Sequence, residues 1–406
     1  MKRGHLSEYF SGIAVKRLSA VETRPATSNQ HEFNASAELK RLLGEDDLKD
    51  IPTKFIWIGQ EQDAVEAEGF VSWYDARRKH PTRSEYRLYY PGNDVTARMD
   101  EGDAFFLARR EGGDCLVIVT PGDSTMYNQL LWLFGIDTPS GFQFSFQPVG
   151  GSADAELGLA ARFILEALDI DPGEPEAAAI DDLIRPFGLT MPKTKVLSDL
   201  ARHSLGLADV RDAPDAALMA WMDREDQLFR RLERKIVAER LRAGFLTPDG
   251  EQDVDGFIGF SLSVQNRRKS RAGLALESHI EALLVAFGIA YDRGAITENG
   301  NKPDFLFPGA AAYRDPAFPA SALTMLGAKS TLKERWRQVL SEAERIGTKH
   351  LLTLEPGISE KQTAEMQAKK LQLVVPAGLH PTYKPQQRAW LMTVSDLIGL
   401  VQSRRG

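Results

Sequence analysis

Short apolar runs broken by turn residues fill the first third of the chain. Lys54–Ile58, Gly69–Trp73, Tyr86–Tyr90, Ala104–Leu107 and Cys115–Thr120 are separated by turn clusters such as Pro91-Gly92-Asn93, Glu111-Gly112-Gly113-Asp114 and Pro121-Gly122-Asp123. This pattern predicts many short strands, so residues 1–150 read as a mainly β domain, a barrel or a sandwich. The pattern then changes. Apolar spacing predicts a helix over Ala153–Leu168, followed by the acidic, proline-containing tract Asp169–Glu176, so residues 151–186 read as a linker region. Helical spacing returns in Ala216–Ala243 and Gly273–Phe287. Asp304–Phe307, Leu323–Lys329, His350–Leu354 and Leu371–Val375 predict strands, and Ser330 or Thr331 predicts the cap of a helix running to about Ile346. Strands alternating with helices make residues 187–406 an α/β domain.

Composition narrows the classes. The 406 residues are 43% hydrophobic and 26% charged, which suits a globular protein of two or three domains. No apolar run reaches the roughly 18 residues of a membrane span, and the N-terminal MKRGHLSEYF lacks the apolar core of a secretory signal. Cys115 is the one cysteine, which excludes an intrachain disulfide and a thiolate-rich zinc site and fits a reducing cytoplasm. The net charge of -7 and pI near 5.7 do not advertise nucleic-acid binding. Local potential decides contact with phosphates, however, and the acidic stretches Gly44–Asp50, Ile170–Asp182 and Gly250–Asp255 lie apart from the basic ones.

One constellation carries chemistry. Asp304 follows Pro303 at the start of a predicted strand, and Lys329 stands near the end of the next. Metal-assisted phosphodiester hydrolysis needs carboxylates to hold a hard cation and a lysine to position water and phosphate. In the common form of such a site an acid stands two residues before the lysine, on the same strand face. Here that residue is Gly327, so the charge must come from elsewhere. Glu342 is the best candidate, carried back toward the strand by the helix after Thr331, and Glu277 is a further acid with Glu281 one turn later. Taken singly, Asp304 also fits a strand-entry turn, and Glu277 and Glu342 fit solvated helix positions.

Two basic segments accompany these residues. Arg267, Arg268, Lys269 and Arg271 cluster at a predicted helix start, where they oppose the helix dipole; an anionic partner or an exposed loop explains them equally well. Lys333, Glu334 and Arg335 offer donors to guanine and an acceptor to cytosine, although a charged helix face with a Glu334–Arg337 pair fits too.

At this point the C-terminal half resembles the EcoRII-type restriction endonucleases. The resemblance rests on Ser263–Gly273 (SVQNRRKSRAG), Ala295–Glu298, Lys302–Pro308 (KPDFLFP), Arg335–Gln338, His350–Leu351 and Leu373–Pro376, in that order, over roughly Phe187 to the C-terminus. It implies a restriction-endonuclease-like α/β fold, with Asp304 and Glu342 holding Mg²⁺, Lys329 as catalytic lysine and Glu277 as auxiliary acid. It also implies that Lys333, Glu334 and Arg335 read C:G pairs in a CC-x-GG-like site. Lys16–Ala20 and Thr82–Arg87 resemble segments of the family's effector domain, a B3-like pseudobarrel. That likeness makes Lys16, Arg17, His31, Arg83, Glu85 and Arg87 candidate DNA contacts, with Pro81 and Tyr86 standing where relatives are expected to be basic.

The resulting expectation is a cytoplasmic homodimer on a nearly palindromic duplex DNA site, each subunit hydrolysing one strand, with a second effector site as a possible requirement. A non-cleaving DNA-binding regulator and an endonuclease directed to modified DNA are the competing readings.

Overall fold

The computed structural model describes residues 10–23, 31–59, 64–80, 82–110, 112–137, 144–148, 177–206, 209–332 and 335–404. The chain divides into two units. The first comprises residues 1–171 with 356–362 and 382–384, and the second comprises 172–355, 363–381 and 385–406. The helix expected at Ala153–Leu168 and the tract Asp169–Glu176 lie outside the described residues. Among the described residues, no helix is long and apolar enough to cross a membrane.

The first unit is built on one sheet. Its strands are β1 (Gly12–Arg17), β2 (Glu32–Asn34), β3 (Leu48–Trp57), β4 (Val65–Asp75), β5 (Tyr86–Tyr89), β6 (Ala104–Arg109), β7 (Cys115–Thr120) and β8 (Ser145–Pro148). Their spatial order is β2-β5-β4-β3-β7-β6-β1-β8, antiparallel except for the parallel β3–β7 pair. Alternate residues bury themselves on opposite faces: Ile13, Val15, Phe106 and Ile118 join one cluster, while Ala14, Phe105, Leu107 and Val117 join the other. That two-sided burial is why β6 and β7 read as continuous apolar runs. Helices α1 (Ala37–Leu43) and α2 (Thr125–Phe134) supply cover, each capped by a serine. Of Arg83, Glu85 and Arg87, only Arg87 lies in β5.

The second unit opens with helices α3 (Ala177–Ile184), α4 (Thr194–Leu205), α5 (Pro214–Ala243) and α6 (Val254–Ala286). Ile180, Ile184, Leu197, Leu228, Phe229 and Leu232 pack the first three together. The helix expected at Gly273–Phe287 begins far earlier, at the Asp253 cap, whose carboxylate accepts from Gly256 N–H at 2.9 Å. The basic cluster therefore sits in mid-helix, and the dipole argument for an anionic partner lapses.

A mixed sheet follows, with strands β9 (Asp292–Arg293), β10 (Phe305–Phe307), β11 (Thr324–Lys329), β12 (Lys349–Thr353) and β13 (Leu371–Val374) in the order β13-β12-β11-β10-β9. β10 runs antiparallel to β9 and β11, while β11, β12 and β13 are parallel. The helix expected from Ser330 to Ile346 is also corrected. A single turn, α7 (Trp336–Val339), forms, and the chain then passes through Ala343 at φ 49°, which no continuous α-helix allows. Trp336 and Val339 are buried and pin this turn onto the sheet.

Val339 explains a gap in the sequence pattern. A Cβ on Gly327 would meet Val339 Cγ2 at 3.0 Å and Leu351 Cδ1 at 3.4 Å, so the position two before Lys329 has no room for a carboxylate. Gly327→Ala should therefore destabilise the fold by about 1–3 kcal/mol, as overpacking does. Adding Val339→Ala should recover part of that loss in a double-mutant cycle of unfolding free energies. Additive losses would show that the two positions do not compete for space.

Candidate active site

Asp304 and Lys329 meet because β10 and β11 pair with Phe305 opposite Leu326, which sets Asp304 beside Gly327. The Lys329 ammonium donates to Asp304 Oδ2 at 2.9 Å, and the Ala328 N–H donates to the same oxygen at 2.6 Å. Both side chains keep some exposure, 23% for Lys329 and 17% for Asp304, so the pair opens toward solvent. Gly294 N–H donates to the Asp304 carbonyl at 3.2 Å and ties the strand entry to β9.

Glu342 joins them from the turn after α7. Burial pushes its carboxyl up to about 7, and the neighbouring Asp304 charge pushes the same way, against the pull of Lys329 and Lys349. Its Oε2 is buried and accepts no hydrogen bond from the protein. The three residues that the sequence singled out thus share one electrostatic neighbourhood, with an unsatisfied carboxylate oxygen inside it.

The turn bearing Glu342 is held on every side. Asn301 Nδ2 donates to Ser341 O at 2.8 Å, and the Glu344 N–H donates to Glu298 Oε2 at 3.2 Å. Tyr313 donates its hydroxyl to the same Glu298 carboxylate at 2.6 Å, and the Arg345 guanidinium bonds the carbonyls of Tyr313, Asp315 and Phe318. Lys349 Nζ reaches the Ile346 carbonyl at 3.2 Å and the Ala343 carbonyl at 3.4 Å. Together these contacts outweigh the left-handed backbone at Ala343, a cost of roughly 1–2 kcal/mol. Of these residues, sequence reasoning singled out none; Glu298 lay inside a string quoted for the resemblance, without a role.

Glu277 faces a different partner. Its carboxylate pairs with Arg293 at 2.6 Å, and Arg293 also binds Glu281 at 3.1 Å, so α6 is strapped to β9. Asp304 and Glu342 are hard oxygen donors, and the orphaned Glu342 Oε2 fits the need of a divalent cation for a further ligand. Among the described residues, no group of three or more His, Cys, Asp or Glu forms a metal cluster, so any such ion would complete its shell with water and substrate oxygens.

The candidate DNA contacts disperse. Arg271 is buried against Phe229, donates to Pro192 O at 3.2 Å and lies 3.5 Å from the buried Glu225, which His279 also approaches at 3.0 Å. That guanidinium serves the helical core and faces no solvent. Arg268 is half exposed and binds Glu233 at 2.6 Å, and Arg267 is half buried. The Lys269 side chain and all of Lys333 and Glu334 lie outside the described residues. Arg335 is exposed, with Nη2 on the Thr331 carbonyl at 2.9 Å, and Arg337 pairs with Glu365 at 2.9 Å.

In the first unit, Lys16 is buried with Glu22 and lies over Phe33 and Phe144. Arg17 donates to Gly122 O at 2.8 Å and stacks over Tyr127. His31 packs edge-on against Tyr90, Arg87 bridges Glu32 and Glu85, and Arg83 is exposed. Tyr86 is buried and donates to the Glu45 carbonyl. Sequence reasoning passed over Arg77, Arg78, Lys79 and His80, an exposed basic turn after β4; four consecutive cationic or titratable residues were the available signal.

The Glu342 environment has a measurable consequence. A carboxyl raised in the folded state destabilises the fold once it ionises. The penalty is small below its ordinary value near 4.5 and complete above about 7. Without divalent ions, Glu342→Gln should therefore raise the stability of the protein more at pH 8 than at pH 5. The difference should be about 2 kcal/mol after allowance for the solvent-facing part of the side chain. Metal-free unfolding at the two pH values measures this, and an equal gain at both would contradict the burial of the charge.

Known proteins give this arrangement a context. The family model described as EcoRII C terminal matches residues 229–398. The type II restriction enzyme EcoRII of Escherichia coli is 44% identical over 192 residues, 46% of this chain and 46% of EcoRII. The type II restriction enzyme SsoII of Shigella sonnei is 30% identical over 148 residues, 34% of this chain and 47% of SsoII. The chain spans about half the length of the curated relatives it matches. Among solved structures, a PspGI–substrate DNA complex aligns at a TM-score of 0.44 and 16% identity, over 53% of this chain and 93% of that one. Metal-depleted Ecl18kI in complex with uncleaved, modified DNA aligns at 0.44 and 22%, over 56% and 83%. By the family match and the identity to EcoRII, residues 229–398 of this chain are similar to the C-terminal domain of the EcoRII-type restriction endonucleases.

Proposed function

We propose that the protein is a type II restriction endonuclease that hydrolyses duplex DNA with Mg²⁺. The observation that carries this reading is the shared neighbourhood of Asp304, Lys329 and Glu342 inside a domain similar to the EcoRII C-terminal domain. Asp304 and Glu342 would hold the ion. When bound, Mg²⁺ supplies charge neutralisation at the scissile phosphate and a lowered pKa for the attacking water.

The protein's own side chains do the rest. Asp304 Oδ2, fixed by Ala328 N–H, orients the Lys329 ammonium. One N–H of Lys329 is engaged there, and its remaining N–H groups are offered to an in-line water and to a phosphate oxygen. Glu342, once ionised, contributes the second carboxylate that Gly327 cannot. Glu277 acts as auxiliary acid through its link to Arg293. Cleavage leaves 5′-phosphate and 3′-hydroxyl ends.

Recognition extends the proposal. Lys333, Glu334 and Arg335 read C:G pairs of a CC-x-GG-like site, and Arg267, Arg268 and Lys269 add phosphate contacts. The first unit is a B3-like effector domain that engages a second DNA copy through its basic residues, Arg83 and Arg87 among them. Two copies of the chain embrace the site in the cytoplasm.

Plasmid digestion tests the core of this. Lys329→Ala should lose at least about 1,000-fold in cleavage rate, as removal of one key donor does, while DNA affinity stays within about threefold. Omitting Mg²⁺ should abolish cleavage by the unmodified protein. A Lys329→Ala variant that cuts at the normal rate would overturn the site, and an unmodified protein that binds but never cuts would favour the regulator reading.

A further inference from the structure

β11 and β12 end side by side, with Lys329 opposite Thr353 in the parallel register. Beyond those ends the two segments stay joined. The Thr353 hydroxyl donates to the Ser330 carbonyl at 3.5 Å and accepts from the Glu355 N–H at 3.2 Å. Glu355 Oε2 in turn accepts the Leu332 N–H at 2.5 Å, a short, charge-assisted bond. Leu332, Thr353 and Leu354 are buried, so packing as well as hydrogen bonding fixes this stretch.

Leu332 passes the restraint on. A buried backbone N–H needs an acceptor, and no helix runs through Ser330–Leu332 to supply one. A carboxylate from the neighbouring strand end takes that place. On the other side, the Leu332 carbonyl accepts the Arg335 N–H at 2.9 Å. Arg335 Nη2 donates to the Thr331 carbonyl at 2.9 Å and to the Thr331 hydroxyl at 3.1 Å. Backbone and side chain of Arg335 thus both hang from the short segment that Glu355 steadies, and the Arg335 side chain is exposed.

We propose that Glu355 is a positioning residue for Arg335, holding it at a set distance from Lys329 so that base reading and cleavage fall on one stretch of duplex. The inference rests on the reading of Arg335 as a base contact and adds the residue that fixes that contact. Glu355 acts through the Leu332 peptide. A guanidinium reads a guanine edge only within hydrogen-bond reach, so a shift of about 1 Å in this segment suffices to lose the contact.

Equilibrium binding by the full chain without divalent ions tests it. The probes are a duplex carrying CC-x-GG and the same duplex with one outer C:G pair exchanged for T:A. The unmodified protein should prefer the first at least about tenfold. Glu355→Ala should reduce that preference at least about fivefold, whereas Glu355→Gln, which keeps an acceptor oxygen, should stay within about threefold of the parent. A purely structural role would weaken both duplexes alike and leave the preference intact, and that result would overturn the proposal. Arg335→Ala should lower the preference, and Glu355→Ala should lower it no further in that background. Additive losses would overturn the route through Arg335. Thr353→Val removes the hydroxyl that holds Glu355 and should reduce the preference in the same direction. It carries the test if Glu355→Ala does not fold, and an unchanged preference would then overturn the proposal. An unmodified protein that binds both duplexes alike would overturn the proposal together with the base reading on which it rests. No cleavage is measured, so none of these outcomes touches the role of Lys329.

Discussion

Two carboxylates held close together in a partly buried site repel each other, and the second unit is arranged around that repulsion. Asp304 is compensated at once by Lys329 and a backbone N–H. Glu342 is not: burial and the Asp304 charge both work against its ionisation, and one of its oxygens has no protein partner. An arrangement of this kind persists only if the surrounding structure fixes it, and the clamp from Asn301, Glu298, Arg345 and Lys349 onto the Ser341–Ile346 turn does so. A stably folded protein that keeps an unfavourable pair of charges is poised to gain when a cation enters between them.

The position of Glu342 follows from packing one step away. Val339 fills the space in front of Gly327, so the strand itself cannot present the second acid. The same turn that delivers Val339 to the sheet carries Glu342, three residues later, into the electrostatic neighbourhood of Asp304 and Lys329. A steric exclusion and its electrostatic replacement therefore come from one segment.

Much of this was legible in the sequence, and the failures have physical reasons. The apolar runs of β6 and β7 and of β10 to β13 stood out because both faces of those strands are buried, and the Asp304–Lys329 pair followed from strand order alone. Glu342 was placed correctly in the neighbourhood but for an incorrect reason. Helical spacing after Thr331 suggested a long helix, whereas tertiary packing of Trp336 and Val339 stops it after one turn. Arg271 was misread because a basic run looks the same whether its members face phosphates or, as here, a buried glutamate on the neighbouring helix. The start of α6 was misplaced because its first half buries little, so no apolar periodicity marked it. The clamp around Glu342 was invisible, since its contacts join residues far apart in sequence through backbone carbonyls and N–H groups, which no side-chain pattern reports.

The central claim is that Asp304 and Glu342 grip one divalent ion beside Lys329. Anomalous diffraction from crystals soaked in Mn²⁺ addresses it most directly. A peak should lie about 2.0–2.3 Å from a carboxylate oxygen of each residue, and it should vanish in Glu342→Gln crystals. A peak bound elsewhere, or one indifferent to the loss of the Glu342 charge, would contradict the account.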